Sequence, residues 1–79
     1  MPEQKLLEYH PERTKLFNIK KFAFRMGHHH ALFPESCTIS WCVQKVKNRA
    51  RREDLSLERW KIELLIQAGI NDVHKVLGT

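Results

Sequence analysis

LSLERWKIELLIQA, residues 55–68, is the most apolar segment of this 79-residue chain. Its apolar side chains recur at three- and four-residue steps and cover more than one face of a helix. They are Leu57, Trp60, Ile62, Leu64, Leu65, Ile66 and Ala68. The segment therefore predicts the central helix of the fold, and we expect Trp60 and Leu64 to lie at the centre of the core.

Polar residues and glycines suggest where this helix starts and stops. Asp54 or Ser56 can cap its N-terminus, because their side-chain oxygens accept bonds from the first free N–H groups. Gly69 is expected to end it, since glycine is common just beyond a helix. Asn71 or Asp72 can then cap a final short helix that closes at Gly78. Residues 57–78 thus predict two helices that meet at a corner.

Two further helices are predicted upstream. The first runs from Pro11 to Gly27, with proline at a favoured first position and glycine as the stop signal. Its stripe, at helical spacing, is Leu16, Ile19, Ala23 and Met26. Residues 27–36 then form a connection, and Pro34 or Thr38 begins the next helix. That helix has a narrow packing face, formed by Ile39, Cys42, Val46, Arg49 and Ala50.

These segments predict an all-α fold, a small bundle of four or five short helices in a single basic domain over residues 1–79. A chain of this length buries only about 60% of its unfolded surface, so its stability margin is thin. The alternative is an α+β fold with a hairpin from residues 16–26 and 38–46. There Phe22, Phe24 and Met26 would alternate inward against β-branched and aromatic partners.

Composition narrows the class of protein. With 42% hydrophobic and 29% charged residues, the chain is globular rather than disordered. No apolar run reaches the roughly 18 residues that span a bilayer, so we expect no membrane partner and a cytoplasmic location. The chain has two cysteines, Cys37 and Cys42, which do not form a disulfide framework of the secreted kind and are interpreted as reduced thiols.

The segment QKVKNRARR, residues 44–52, carries five cations and no carboxylate. These five equal the formal net charge of +5 for the whole chain, so the basic character is concentrated in one helix. A localised cationic helix indicates an anionic partner. Lys45, Arg49 and Arg52 share one face of that helix, and Lys47 and Arg51 share an adjacent face, an arrangement suited to phosphates on both sides of a groove.

Two amides complete the candidate site. Gln44 and Asn48 lie on the same helix, and their side chains are suited to adenine edges. The predicted nucleic-acid-binding residues are Gln44, Lys45, Lys47, Asn48, Arg49, Arg51 and Arg52. The simpler interpretation is a solvated helix face, which many charge runs are.

The sequence thus predicts a small nucleic-acid-binding regulator or accessory protein that acts by binding alone, with DNA favoured over RNA and no cofactor. The alternative is a non-enzymatic interaction protein or inhibitor that binds an acidic surface of a partner protein. A homodimer is expected, because the segment at 57–68 has more apolar circumference than short helices cover. The N-terminal Leu6, Leu7 and Tyr9 could cover it instead.

Metal binding and catalysis are weaker interpretations. His28, His29 and His30 with Cys37 and Cys42 hold the right atoms for zinc, but consecutive histidines do not converge easily on one ion. We therefore expect a solvated polar loop. Cys42 with a histidine, or Glu58 with Glu63, could suggest an enzyme, yet neither pair comes with an oxyanion site or a nucleotide loop.

Overall fold

The computed structural model describes residues 11–78, which form three helices. They are α1 (Pro11–Leu32), α2 (Ile39–Arg52) and α3 (Arg59–Leu77). No strand occurs in this range, so the hairpin alternative is wrong: both of its segments are helical. The all-α class is confirmed, with three long helices in place of the four or five short ones expected. None of the three helices in residues 11–78 combines the length and the hydrophobicity that a membrane span requires.

Helices α1 and α3 form the closest pair, and two glycines explain it. Gly27 and Gly69 are both buried, and the Gly69 Cα lies 2.8 Å from where a Cβ on Gly27 would be. Without side chains, the two backbones approach closely. The expectation that these glycines end helices is therefore wrong. α1 continues through Gly27 to Leu32, and α3 continues through Gly69 to Leu77, so there is no helical corner.

The connection between α1 and α2 is short. α1 ends at Leu32, two residues before Pro34, because a proline disfavours helical geometry in the residue that precedes it. Thr38 then caps α2: its hydroxyl accepts a bond from the Trp41 N–H at 3.2 Å. This confirms Thr38 as a helix start. The predicted connection at residues 27–36 is correspondingly reduced to residues 33–38.

A Schellman motif ends α2. The Leu55 N–H bonds the Ala50 carbonyl at 2.8 Å, and the Asp54 N–H bonds the Arg51 carbonyl at 3.0 Å. Asp54 has a left-handed φ of 58°, which aspartate tolerates better than most residues. It therefore terminates α2 rather than capping α3, and the predicted caps at Asp54 and Ser56 are wrong. Glu58 occupies the N-cap of α3, without a side-chain bond.

The core lies between the three helices. α1 and α3 run in the same direction, and α2 packs against both in the opposite direction. The buried apolar residues are Ile19, Ala23, Met26, Cys42, Val43, Val46, Ala50, Ile62, Ile66 and Ile70. Three of the four residues of the α1 stripe are among them. Trp60 and Leu64 are not: they are 55% and 61% exposed, so their predicted central place is wrong.

Candidate nucleic-acid interface

One face of α2 is buried and the rest is open. Cys42, Val43, Val46 and Ala50 are buried at three- and four-residue steps, so they form a single stripe against α1 and α3. The Thr38 cap and the Schellman motif fix the two ends of the helix. A capping threonine alone contributes about 1 kcal/mol. The remaining positions are thus displayed on a well-defined helix of 14 residues.

The cations of α2 lie on both sides of its exposed crest, which is the line of the helix that carries Gln44 and Asn48. Lys45, Arg51 and Arg52 are exposed, whereas Lys47 and Arg49 are half-buried at the two edges of the packed stripe. At 100° per residue, Lys45, Arg49 and Arg52 fall on the flank next to α1, and Lys47 and Arg51 fall on the opposite flank. The division into two faces expected from the sequence is the one that the structure shows.

Aromatic rings hold two of these cations in place. The Arg49 guanidinium lies over the Phe22 ring of α1, 5.2 Å from its centroid, and the Lys45 ammonium lies 5.1 Å from the Trp41 centroid. Such contacts stabilise exposed cations by about 0.5–1 kcal/mol. They restrict the side chains without neutralising their charge. Both groups therefore stay available to an anion.

The two amides occupy the crest between the flanks. Gln44 and Asn48 are exposed, and the Gln44 Nε2 donates to the Asn48 Oδ1 at 2.9 Å. Because this bond is in solvent, exchanging it for another partner costs little. A base edge that offers both an acceptor and a donor could take the place of this bond by pairing with the two amides. The crest is therefore polar and uncharged, with cations on each side.

No carboxylate neutralises the α2 cations within residues 11–78. The ion pairs in this range join Arg59 to Glu63 at 2.9 Å and Lys61 to Glu58 at 3.8 Å, both on α3 or at its cap. Asp72 contacts His28 at 3.0 Å. The excess positive charge of α2 is therefore exposed to whatever anion approaches this face.

Part of this charge has a purely structural use. Arg49, Arg51 and Arg52 lie in the last turn of α2, where cations interact favourably with the helix dipole. That interaction is worth about 0.3–1 kcal/mol for each. It does not account for Lys45 and Lys47, which lie before the last turn. These two lysines, together with cations outside α2, are the ones that distinguish a binding surface from helix capping.

Helix α1 supplies such cations, which the sequence interpretation left out of the site. Asn18, Lys21 and Arg25 line a depression of about 120 Å³ together with Phe22 and with Arg49 from α2. Three cations and an amide line it, and no carboxylate does. The spacing of 18, 21, 22 and 25 identifies one helical stripe from sequence alone. What the sequence lacks is the information that this stripe lies beside α2.

The opposite flank has its own depression, of about 310 Å³. Lys47 and Arg51 line it with Ser56 and with the side chains that follow the Schellman turn, Leu55 and Leu57. Its polar groups come from α2 and from the loop after it. The cationic surface therefore extends beyond the basic helix on both sides, onto α1 on one flank and onto the α2–α3 loop on the other.

The histidines and cysteines do not form a joint site. His28, His29 and His30 belong to α1, not to a polar loop as expected. The His28 Nε2 contacts Asp72 of α3, while the His30 Nδ1 donates to the Cys37 carbonyl at 2.8 Å. Within residues 11–78 no three His, Cys, Asp or Glu side chains are grouped to hold a metal ion.

The two cysteines are free thiols, as expected. The Cys42 Sγ donates to the Met26 carbonyl at 3.5 Å and to the Cys37 carbonyl at 3.7 Å. Burial, and secondarily the neighbouring Cys37, raise the pKa of the Cys42 thiol above its usual value of 9.0. A thiol with a raised pKa is protonated at neutral pH and is a poor nucleophile. Cys42 therefore serves packing.

This surface can bind phosphates on two flanks and hydrogen-bond to flat polar groups between them. No family model, curated protein or solved structure matches the chain. The cations and amides of this surface allow electrostatic attachment of the protein to an anionic ligand. Most of these groups belong to α2, and α1 contributes further cations on one side.

Proposed function

We propose that this protein is a small nucleic-acid-binding regulator or accessory factor that binds through α2, with duplex DNA as the favoured ligand. One observation supports it most: two flanks of cations without carboxylate partners border a crest of two amides on one exposed helix. Phosphate contacts position a protein on a duplex, and amides read base edges. The function is binding alone, with no cofactor.

The dimensions of α2 fit a major groove. A helix of 14 residues is about 21 Å long and, with side chains, about 10–12 Å wide. The major groove of B-form DNA is about 12 Å wide. With Gln44 and Asn48 directed to the base edges, Arg49 and Lys45 would contact one phosphate backbone and Lys47 and Arg51 the other. RNA helices have a major groove too narrow for this arrangement, which favours DNA.

Replacing Arg49 and Arg51 together with alanine should weaken DNA binding and leave the fold intact. One arginine is removed from each flank, and neither belongs to the buried stripe. Two lost phosphate contacts should reduce the slope of log affinity against log salt by about 2, which corresponds to a roughly 10- to 60-fold weaker affinity at 0.1 M salt. Fluorescence anisotropy with a labelled duplex at several salt concentrations measures both quantities.

The matched control removes two cations from α3, Arg59→Ala with Lys75→Ala. This control changes the net charge by the same amount, but both of its substitutions lie off the proposed surface. Its affinity for the duplex should therefore stay within about threefold of that of the parent, because only the long-range effect of charge is altered. Equal losses in the two double variants would mean that only net charge matters. Unchanged affinity in Arg49→Ala/Arg51→Ala would exclude α2 from the function.

The contribution of α1 is a separate prediction. Lys21→Ala with Arg25→Ala should also weaken duplex binding and reduce the salt slope by about 2, because both side chains line the depression that Arg49 shares. Both positions are exposed, so the thermal midpoint should not change by more than a few degrees. If this variant binds like the parent, the contacts are confined to α2 and the loop that follows it.

A second copy of the chain would double the cationic surface offered to one duplex. Homodimer formation stays a prediction, and sedimentation at micromolar concentration tests it against the 9.4 kDa mass of one chain. An acidic protein partner is the contrasting outcome. Tight, stoichiometric capture of one protein, together with indifference to every nucleic acid, would support that function instead.

A further inference from the structure

An apolar groove follows the seam between α1 and α3. Leucines form it, with a lysine from each helix at the rim, and its volume is about 360 Å³. Its lining residues are Leu16, Lys20, Leu57, Lys61, Leu64 and Leu65. Lys20 and Leu65 also line the next depression along the same helices, which reaches Phe24 and His28. The leucine groove is separate from the α2 crest and is not used by the proposed function. The next depression is also lined by Lys21 and Arg25, so it borders the cations that α1 contributes to the proposed DNA-binding surface.

One leucine of this groove is exposed, although leucine is among the residue types most often buried. Leu64 is 61% exposed, and Leu16, Leu57 and Leu65 line the groove with it. An exposed apolar groove of this kind marks a contact with another segment or molecule. The charge at the rim restricts what that contact can be.

Lys20 and Lys61 disfavour a second copy of the chain at this groove. A two-fold contact brings the same surface of both copies together, so four lysines would meet across the interface. Each copy also carries a formal net charge of +5. A suitable occupant combines apolar side chains with carboxylates. That description fits a segment of this chain itself.

We propose that residues 1–10, MPEQKLLEYH, occupy the α1–α3 groove of their own chain. These residues lie outside the described range and join α1 directly at Pro11. They supply three large apolar side chains, Leu6, Leu7 and Tyr9, for the leucine floor. Glu3 and Glu8 supply carboxylates for Lys20 and Lys61, and these two carboxylates outnumber the one lysine of the segment, Lys5.

The distances along the chain agree with this assignment. Leu16 and Lys20 lie five and nine residues beyond Pro11, hence about 7.5 and 13.5 Å along α1. Leu7 precedes Pro11 by four residues and can reach about 13 Å from it when extended. A reversal of the chain near Pro11 would therefore place Leu6 and Leu7 within reach of the groove.

Methyl NOE spectroscopy on the full chain tests this directly. A uniformly labelled sample should show NOEs from Leu6, Leu7 or Tyr9 to the methyl groups of Leu64 and Leu65. A mixture of labelled and unlabelled chains, recorded with isotope filters, should show none of them, because the contact lies within one molecule. Filtered NOEs between copies would assign the groove to a homodimer. Absence of NOEs from residues 1–10 to the groove in the uniform sample would overturn the proposal as well.

Charge reversal provides a second test. Lys20→Glu with Lys61→Glu should place four carboxylates together and remove most of these NOE intensities, since Glu3 and Glu8 are then repelled. The matched control, Lys15→Glu with Lys75→Glu, alters the net charge equally at positions that do not line the groove. It should leave the NOEs in place. Equal NOE intensities in the two charge-reversal variants would show that Lys20 and Lys61 do not determine which segment occupies the groove.

Discussion

Gly69→Ala should lower the free energy of unfolding by more than about 3 kcal/mol. A Cβ at this position would overlap the Phe24 carbonyl oxygen and lie 3.0 Å from the Gly27 Cα. These are backbone atoms, so no side chain can rotate away, and α1 and α3 must separate. Overpacking costs about 1–3 kcal/mol, and more where the surroundings are rigid. Separation also exposes the buried contacts of both helices, which raises the expected cost above 3 kcal/mol.

One opposing effect is smaller than this cost. Alanine is favoured over glycine within a helix by about 1 kcal/mol. A domain of this size is stable by only about 4–12 kcal/mol. Circular dichroism with urea titration measures the loss. Gly78→Ala is the matched control, because Gly78 has a φ of 76° but no neighbour within 4 Å, and should cost about 1 kcal/mol. A Gly69→Ala variant as stable as that control would mean that the helices cross farther apart.

The same glycines show where the sequence was informative and where it was not. A glycine after a run of helical residues is an ordinary stop signal, and nothing near Gly27 in the sequence identifies Gly69 as its contact. The two are brought together only by tertiary packing. Once that contact is known, α3 replaces the predicted helix and the short helix that was expected to follow it, and α1 extends beyond Gly27 to Leu32. The error in helix number and the error at Gly69 therefore have one cause.

The orientation of α3 could not be predicted for a related reason. Its apolar residues surround the helix, so periodicity alone does not say which side faces inward. Gly69 must face α1, and Ile62, Ile66 and Ile70 share its side. Trp60 and Leu64 then lie outside. By contrast, α2 has one narrow apolar stripe among cations, and spacing alone predicted most of its inward face. Cys42, Val46 and Ala50 are buried as expected, Ile39 and Arg49 are only half-buried, and the buried Val43 was left out of the prediction.

The candidate site follows the same distinction. The residues of α2 were identified from sequence because charge and amides are concentrated within nine positions. Lys21 and Arg25 were left out because α1 carries cations on several sides, and only the packing of Phe22 against Arg49 selects one stripe. A surface formed by one element is predictable from its sequence. A surface shared by two elements requires the fold.

Ile66→Ala should cost about 2–5 kcal/mol of stability, and Trp60→Ala should cost less than Ile66→Ala. Ile66 is 1% exposed and lies in the core, so its truncation loses buried apolar area and leaves a cavity. Trp60 is 55% exposed, with Lys61 5.5 Å from its ring centroid, so more than half of its surface is in contact with water. Urea denaturation of both variants against the parent measures the two costs.

The order of these two costs separates two arrangements of α3. If Trp60 were central, its truncation would be the more damaging change, because it would remove the larger side chain. It would then cost about 3–5 kcal/mol. Ile62→Ala serves as a second core variant, because Ile62 is fully buried one turn before Ile66, and it should behave like Ile66→Ala. A Trp60→Ala variant that is less stable than both isoleucine variants would require α3 to be rotated about its axis, which would separate Gly69 from Gly27.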